Sequence, residues 1–309
     1  MKKLRSIYRR LKLGAKFKHQ YNCHPSFSLV RGSDDCTIIW KKQEIAKIQY
    51  AQNLTDKFRG ACFIIATGPS LAEIDLKKLN GFDTISLNCA IKKFNDSGIK
   101  PTHCIIVDHR VFERQWGCVK ASILSGANCF FSYDGLSRIC EREPELLIQG
   151  NIFLIESISR KFAIARPTLK ECKSAVFSDA QIFIDENNSE YCRSVGFSTS
   201  LKKGLFSGKT VATWAVQLAY CLGYRKEFII GMDLGGTGKK HFYADGSNPS
   251  PDFIKDYEPH IRVCFEQARR ASLAKGFDIY NLSKESTLPG EIVPKISIEE
   301  ALQLAKNNH

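Results

Sequence analysis

Cys62-Phe-Ile-Ile-Ala-Thr-Gly-Pro-Ser-Leu71 runs an apolar, strand-forming stretch straight into Gly68-Pro69-Ser70, and from there into the helical pattern Leu71-Ala-Glu-Ile-Asp-Leu-Lys-Lys-Leu79. A strand that feeds a helix through so short a turn is where an open parallel sheet presents backbone amides to a ligand. Gly68 lets the backbone approach closely, Pro69 pre-sets the first helical φ, and Ser70 can satisfy one amide of the opening turn. Free amides aimed at one point favour an anion. The stretch is neither a dinucleotide fingerprint nor a Walker loop, because it has no Gly-x-Gly-x-x-Gly and no closing Gly-Lys-Ser/Thr.

Outward from this turn, apolar runs at 62–66, 83–88, 103–108, 128–132 and 151–155 alternate with helical patterns. The alternation resumes with a helix over 210–222, a strand over 227–233, a long helix around 254–274 and a strand over 277–282. This predicts an α/β fold, a Rossmann-like doubly wound parallel sheet. Ahead of it, Cys36–Trp40 and Glu44–Tyr50 read as a short hairpin flanking the core, and 157–206 lacks clear periodicity, as a lid or binding loop does. The expected organisation is a basic arm and hairpin over 1–58, a ligand-binding domain built from 59–156 and 207–309, and an insertion or lid over 157–206.

The chain has 309 residues, 43% of them hydrophobic, enough for one large core with an insertion. No apolar run is long enough to cross a bilayer and no secretory signal is evident, so a cytoplasmic protein is expected. The twelve cysteines include no Cys-x-x-Cys pair, and several lie inside apolar runs, so they read as small buried hydrophobes with no metal site. A net charge of +13, from 45 basic and 32 acidic residues, asks for an anionic partner. Residues 1–18 hold eight cations and no acid, with Leu4, Ile7, Tyr8 and Leu11 at helical spacing. Such a segment suits an anionic membrane surface, peripheral on the inner face of the cytoplasmic membrane. A nucleic-acid partner is not expected, because the cations are not interleaved with an aromatic stacking platform.

In an open parallel sheet, ligands sit beyond the carboxyl ends of the strands. The polar residues that end the apolar runs here are Thr67, Asn88, Asp108 and Asp233. Each alone could be a turn-former or a cap, but four from four strands predict a binding crevice.

The order Ile64–Leu71, Leu87-Asn88, Val107-Asp108, Ala219–Tyr224 and Ile229–Asp233 resembles the small bacterial sialyltransferases that use CMP-sialic acid. It looks closer still to the lipopolysaccharide core transferases of 3-deoxy-manno-octulosonic acid (Kdo), and the similarity spans roughly 60–285. A more distant resemblance is to hydroxymethylpterin diphosphokinases, which have a comparable Gly-Pro-Ser turn. The Kdo resemblance implies a GT-A-like glycosyltransferase that moves Kdo or a related ulosonic acid, with inversion, from a CMP-sugar to an acidic, lipid-linked saccharide acceptor. It implies no cofactor beyond that donor. Sialic acid transfer is the alternative, and a magnesium- and ATP-dependent diphosphokinase, with Asp108 and Asp233 as metal carboxylates, is a further one.

Carried onto this sequence, the resemblance assigns donor contacts to Thr67, Gly68, Pro69, Ser70, Asn88, Asp108, Thr210 and Asp233. Thr67 stands where the sialyltransferases carry Asn, which favours a different ulosonate. The glycine- and lysine-rich loop after Asp233 falls where those enzymes stabilise the departing phosphate, with His241 or Tyr243 in that role. His260 lies within one position of their general base, and an imidazole suits removal of a proton from an acceptor hydroxyl. His109 is the backup base, whereas His103, in an apolar strand, reads as a core residue. Arg262, Arg269 and Arg270, with Lys202, Lys203 and Lys209, are candidates for binding an anionic acceptor, since guanidinium pairs bidentately with carboxylate and phosphate.

Overall fold

The apolar runs assemble into a single ten-stranded sheet in the computed structural model, which describes residues 2–235 and 255–307. In chain order the strands are β1 (Phe27–Arg31), β2 (Asp35–Trp40), β3 (Gln43–Tyr50), β4 (Ala61–Ile65), β5 (Asp83–Leu87), β6 (His103–Ile106), β7 (Asn128–Phe131), β8 (Asn151–Leu154), β9 (Ile182–Phe183), β10 (Phe197–Ser198), β11 (Lys226–Ile230) and β12 (Asp278–Asn281). The helices are α1 (Lys2–Leu13), α2 (Ile91–Ser97), α3 (His109–Arg114), α4 (Trp116–Leu124), α5 (Tyr133–Arg142), α6 (Leu169–Phe177), α7 (Val211–Leu222), α8 (Val263–Lys275) and α9 (Ile298–Lys306).

The sheet order is β1-β2-β3-β8-β7-β6-β5-β4-β11-β12, with β9 and β10 paired separately. From β4 the chain winds out through β5, β6 and β7 to β8, then returns to lay β11 and β12 on the other side of β4. All of these strands are parallel. The winding direction therefore reverses between β4 and β11, which pair Ile64 with Ile229 and Ile65 with Ile230. That reversal is the place where such sheets open a crevice.

Successive side chains of a strand face opposite layers, and β4 shows it: Phe63 and Ile65 enter the core under α2, α4, α5 and α9, while Cys62 and Ile64 enter the core under α7 and α8. All twelve cysteines are buried and none forms a disulfide, as befits small apolar side chains.

Three local expectations are revised. The hairpin is a three-stranded antiparallel meander, with β1 ahead of it, and it extends the main sheet through Gln49 opposite Phe153 and Tyr50 opposite Leu154. The helix expected over 71–79 is two short 3-10 turns, Pro69–Glu73 and Leu76–Leu79, separated by extended backbone at Ile74 and Asp75, where Asp75 caps the second turn through Lys77 N–H. Within 157–206 lies a real helix, α6, opened by a reciprocal capping box between Thr168 and Glu171. It covers a small core of its own made of Cys172, Val176, Ile182, Ile184, Cys192 and Phe206.

Candidate active site

At the Gly68 turn, β4 and β11 stay zipped past their ends: Ala66 N–H donates to Ile230 O and Gly68 N–H to Gly231 O, both at 2.8 Å. A Cβ at position 68 would lie 2.4 Å from Gly231 O and 2.5 Å from a carboxylate oxygen of Asp233, so the close approach admits only glycine. Ser70 donates its backbone N–H to Asp233 Oδ2 at 2.8 Å and its hydroxyl to Asp233 Oδ1, with Ser283 Oγ 3.0 Å from Ser70 Oγ. Asp233 is buried. The anion that this turn attracts is thus the protein's own carboxylate, and both Ser70 and Asp233 brace the crevice floor.

Thr67, Asn88, Asp108 and Asp233 follow the ends of β4, β5, β6 and β11, four strands that are contiguous in the sheet. Asn88 is held in the left-handed region, φ 51°, and its Oδ1 is buried with no hydrogen-bond partner. A non-glycine residue in that conformation with an unspent acceptor is characteristic of ligand sites. Asp108 caps α3, accepting Arg110 N–H at 2.9 Å, and pairs with the Arg110 guanidinium at 2.7 Å. Burial pushes its carboxyl up, but the Arg110 hydrogen bonds and charge outweigh this and hold it below the usual range. His109 Nδ1 is 3.7 Å from Asp108. His103 is fully buried and bonds to Tyr224 OH at 2.9 Å, and burial lowers its pKa to about 3, so it is a core residue.

His260 lies in a π-helical turn, Tyr257–Arg262, that leads into α8. Pro259 within it has no N–H for the helical ladder, a cause of such widened turns, and they recur at functional sites. The imidazole is 13% exposed, its Nδ1 is 3.7 Å from Asp256 Oδ1, and the Tyr191 ring crosses it edge-on at 4.8 Å. Lys209 Nζ approaches the same Asp256 oxygen at 3.9 Å. Burial, then the Lys209 charge, push the His260 pKa below 6.5 against the pull of Asp256, so the ring is neutral and able to accept a proton near neutral pH.

Lys209 is placed by a tight turn closed by Thr210 N–H to Ser207 O at 3.2 Å, with Gly208 and Lys209 both at positive φ. Thr210 then caps α7 through Ala212 N–H. Because α7 and α8 each precede a parallel strand, both begin at the carboxyl edge of the sheet. The His260 turn is tied to that edge: Tyr257 OH donates to Thr287 O at 2.8 Å, while Thr287 donates its N–H to Asp233 O and its hydroxyl to Leu234 O.

Two of the expected acceptor cations are paired with acids. Arg262 bridges Glu258 at 3.0 Å and Glu266 at 3.2 Å, and Lys203 pairs with Asp179. Arg269 sits nine residues along α8 from His260, about 13 Å at the helical rise, where its charge acts on Tyr280 of β12. His241 and Tyr243 lie outside the described residues. Asp108 and Asp233, the carboxylates a diphosphokinase needs for magnesium, face Arg110 and Ser70. Among the described residues no group of three or more His, Cys, Asp or Glu side chains gathers as a metal site. Sequence reasoning missed Tyr191 and Asp256; the four-residue spacing of Asp256 and His260 on a helix was the available signal for the latter.

Residues 44–299 match the family model described as 3-deoxy-D-manno-octulosonic acid transferase WaaZ. Two curated relatives are probable 3-deoxy-manno-octulosonic acid transferases. That of Escherichia coli K12 is 24% identical over 272 residues, covering 80% of this chain and 86% of the relative. That of Salmonella typhimurium LT2 is 24% identical over 241 residues, covering 77% and 87%. Among solved structures, the Campylobacter jejuni sialyltransferase CstII in complex with cytidine-5'-monophosphate aligns over 76% of this chain and 84% of its own, at 13% identity and a TM-score of 0.40.

Proposed function

The chain belongs to the WaaZ family of 3-deoxy-D-manno-octulosonic acid transferases and is a glycosyltransferase; from that premise we propose that it moves Kdo from CMP-Kdo to an anionic lipopolysaccharide core saccharide. The observation that carries the reading is the siting of a half-buried, neutral imidazole, His260, at the same sheet edge as the strand ends flanking the β4/β11 reversal. The donor's cytidine and phosphate lie over the Gly68 turn and Asn88, whose unspent Oδ1 accepts a hydrogen bond from the ligand. His260 takes the proton of the attacking acceptor hydroxyl, Asp256 holding the imidazolium that forms. The acceptor oxygen bonds to the anomeric carbon as that carbon's bond to the phosphate oxygen breaks, CMP leaves with the electron pair, and attack from the opposite face inverts the anomeric centre. Cations at this edge offset the charge growing on the leaving phosphate.

The amino-terminal helix supports a peripheral position on an anionic membrane. Ile7 and Leu11, one turn apart, are exposed at 54% and 83%, and Arg10 and Lys12 are exposed beside them. Arg9 does not share this role, because its guanidinium is buried and donates to the carbonyls of His24 and Phe27. Among the described residues no helix is long and apolar enough to cross a membrane.

The test is transfer to a purified core oligosaccharide, read by mass spectrometry as a gain of one Kdo residue, with CMP-Kdo and CMP-sialate offered separately. Transfer from CMP-Kdo alone, abolished in His260→Ala with CMP binding retained, is the expected result. Turnover of CMP-sialate alone, or full activity in His260→Ala, overturns it.

A further inference from the structure

Three arginines in the insertion, Arg160, Arg166 and Arg193, lie close enough to feel one another's charge, and none of them is held by an ion pair among the described residues. Arg166 and Arg193 are half-buried, and the Nε of each is buried without a hydrogen-bond acceptor. His19 faces the same group, its Nε2 against Lys161 O at 3.1 Å and its Nδ1 likewise buried and unpartnered. The charges feel one another: after burial, Arg160 and Arg193 lower the pKa of Arg166, and Arg160 and Arg166 lower that of His19.

The nearby carboxyls are committed elsewhere. Glu156 takes two hydrogen bonds from Arg31 at 2.8 Å and the Phe162 N–H at 2.7 Å. Glu171 closes the cap of α6 and the half-buried Asp134 accepts the Cys23 thiol; the charges of Arg193 and Arg160 reach these two carboxyls but form no ion pair with them. Like charges that repel one another and bury unpaired donors cost stability unless an anion arrives to collect them.

The backbone of the arginines, not their side chains, holds this arrangement. Arg166 N–H donates to Lys16 O at 2.9 Å, and Ser159 Oγ donates to Arg193 O at 2.7 Å. Arg193 follows Tyr191, whose ring packs on His260, and Ser194 O accepts the Gly208 N–H that sets the Lys209 turn. On the other side, Lys161 lines a cavity of about 190 Å³ with Arg31, Tyr50 and Lys202. The cluster thus lies between that cavity and the segment carrying the ring that packs on the proposed base.

We propose that Arg160, Arg166 and Arg193 form an anion cradle that holds a phosphate or carboxylate group of the saccharide acceptor, orienting its hydroxyl toward His260. This rests on the transferase reading given above, and it adds these three arginines of the insertion to the candidates for acceptor recognition.

The test is isothermal titration of the full chain with inorganic phosphate and, separately, with galacturonate as a carboxylate probe, alongside CMP. Saturable binding of either probe is expected to weaken at least tenfold in Arg166→Gln and in Arg193→Gln, with CMP affinity unchanged. Phosphate preference assigns the cradle to a phosphorylated sugar and galacturonate preference to a uronic acid; both support it. Because the replaced side chains repel each other, the variants without ligand should melt no lower than the parent chain, which separates lost binding from lost folding. Failure of both probes to bind the parent chain, or equal binding by the variants, overturns the cradle. Absent CMP binding with the cradle intact overturns the donor reading alone.

Discussion

Replacing Gly68 with alanine tests whether the floor of the crevice is built as described. Its backbone sits at φ −66°, ψ 161°, which alanine adopts freely, so any effect is steric. The new methyl would meet a backbone carbonyl at 2.4 Å and the Asp233 carboxylate at 2.5 Å, and a carbonyl cannot rotate away. The turn must shift, which breaks the two Ser70 hydrogen bonds to Asp233. Bonds to a charged acceptor contribute about 1.5–3 kcal/mol each, so the loss is roughly 3 kcal/mol or more. For a chain of this size that lowers Tm by roughly 6 °C. Urea unfolding followed by circular dichroism measures it, with Gly117→Ala as the control: a methyl there meets nothing within 4 Å, in the first turn of α4. The control should gain about 0.5 kcal/mol from its higher helix propensity. A Gly68→Ala protein as stable as the parent, with CMP affinity intact, would refute the close approach of the two strand ends.

Because His260 is held below its ordinary 6.5 and only the neutral ring accepts a proton, the acid limb of kcat/KM should fall at a pH below 6.5. Lys209→Gln should move that limb up and Asp256→Asn move it further down, both read from pH–rate profiles. Asn88→Gly keeps the left-handed turn, so stability should stay within about 1 kcal/mol while the CMP-induced rise in Tm shrinks; retained CMP binding would assign Asn88 to structure alone. Glu227 is fully buried with both carboxyl oxygens unpartnered, and burial raises its pKa well above 4.5. Above pH 4.5 the unfolded chain releases this proton while the folded protein retains it, so stability falls as pH rises toward the folded value. Glu227→Gln should therefore be more stable than the parent at pH 8 and no different at pH 4, measured by urea unfolding at both.

The parallel sheet was legible because β4 to β8, β11 and β12 are local apolar runs closed by polar residues, and that signal needs no knowledge of neighbours. The 3-10 turns after Pro69 were not, since Leu71, Ile74, Leu76 and Leu79 are buried or half-buried whether the backbone is helical or broken at Ile74 and Asp75. The Thr168–Glu171 capping box was readable and signals α6, but the short helix has little apolar periodicity to draw attention to it. Arg9 looked like one cation among eight, and only the packed arm shows it turned inward to the His24 and Phe27 carbonyls.

Asp233 shows where local reading ends. A carboxylate at the end of a strand has the same sequence signature whether it meets a ligand or another part of the chain. Its partner Ser70 lies 163 residues away, and the two meet only because the sheet sets β11 directly against β4. The same logic applies to the cations. Arg262, in the helical turn beside the candidate base, looked suited to bind an anion, yet Glu258 and Glu266 four residues away on either side claim it, as that spacing already allowed. Arg160, Arg166 and Arg193 lie in a segment without periodicity and satisfied none, yet tertiary packing leaves them crowded and unpaired. What marks such a cluster is the lack of an acid paired with its cations, and that is a property of the fold.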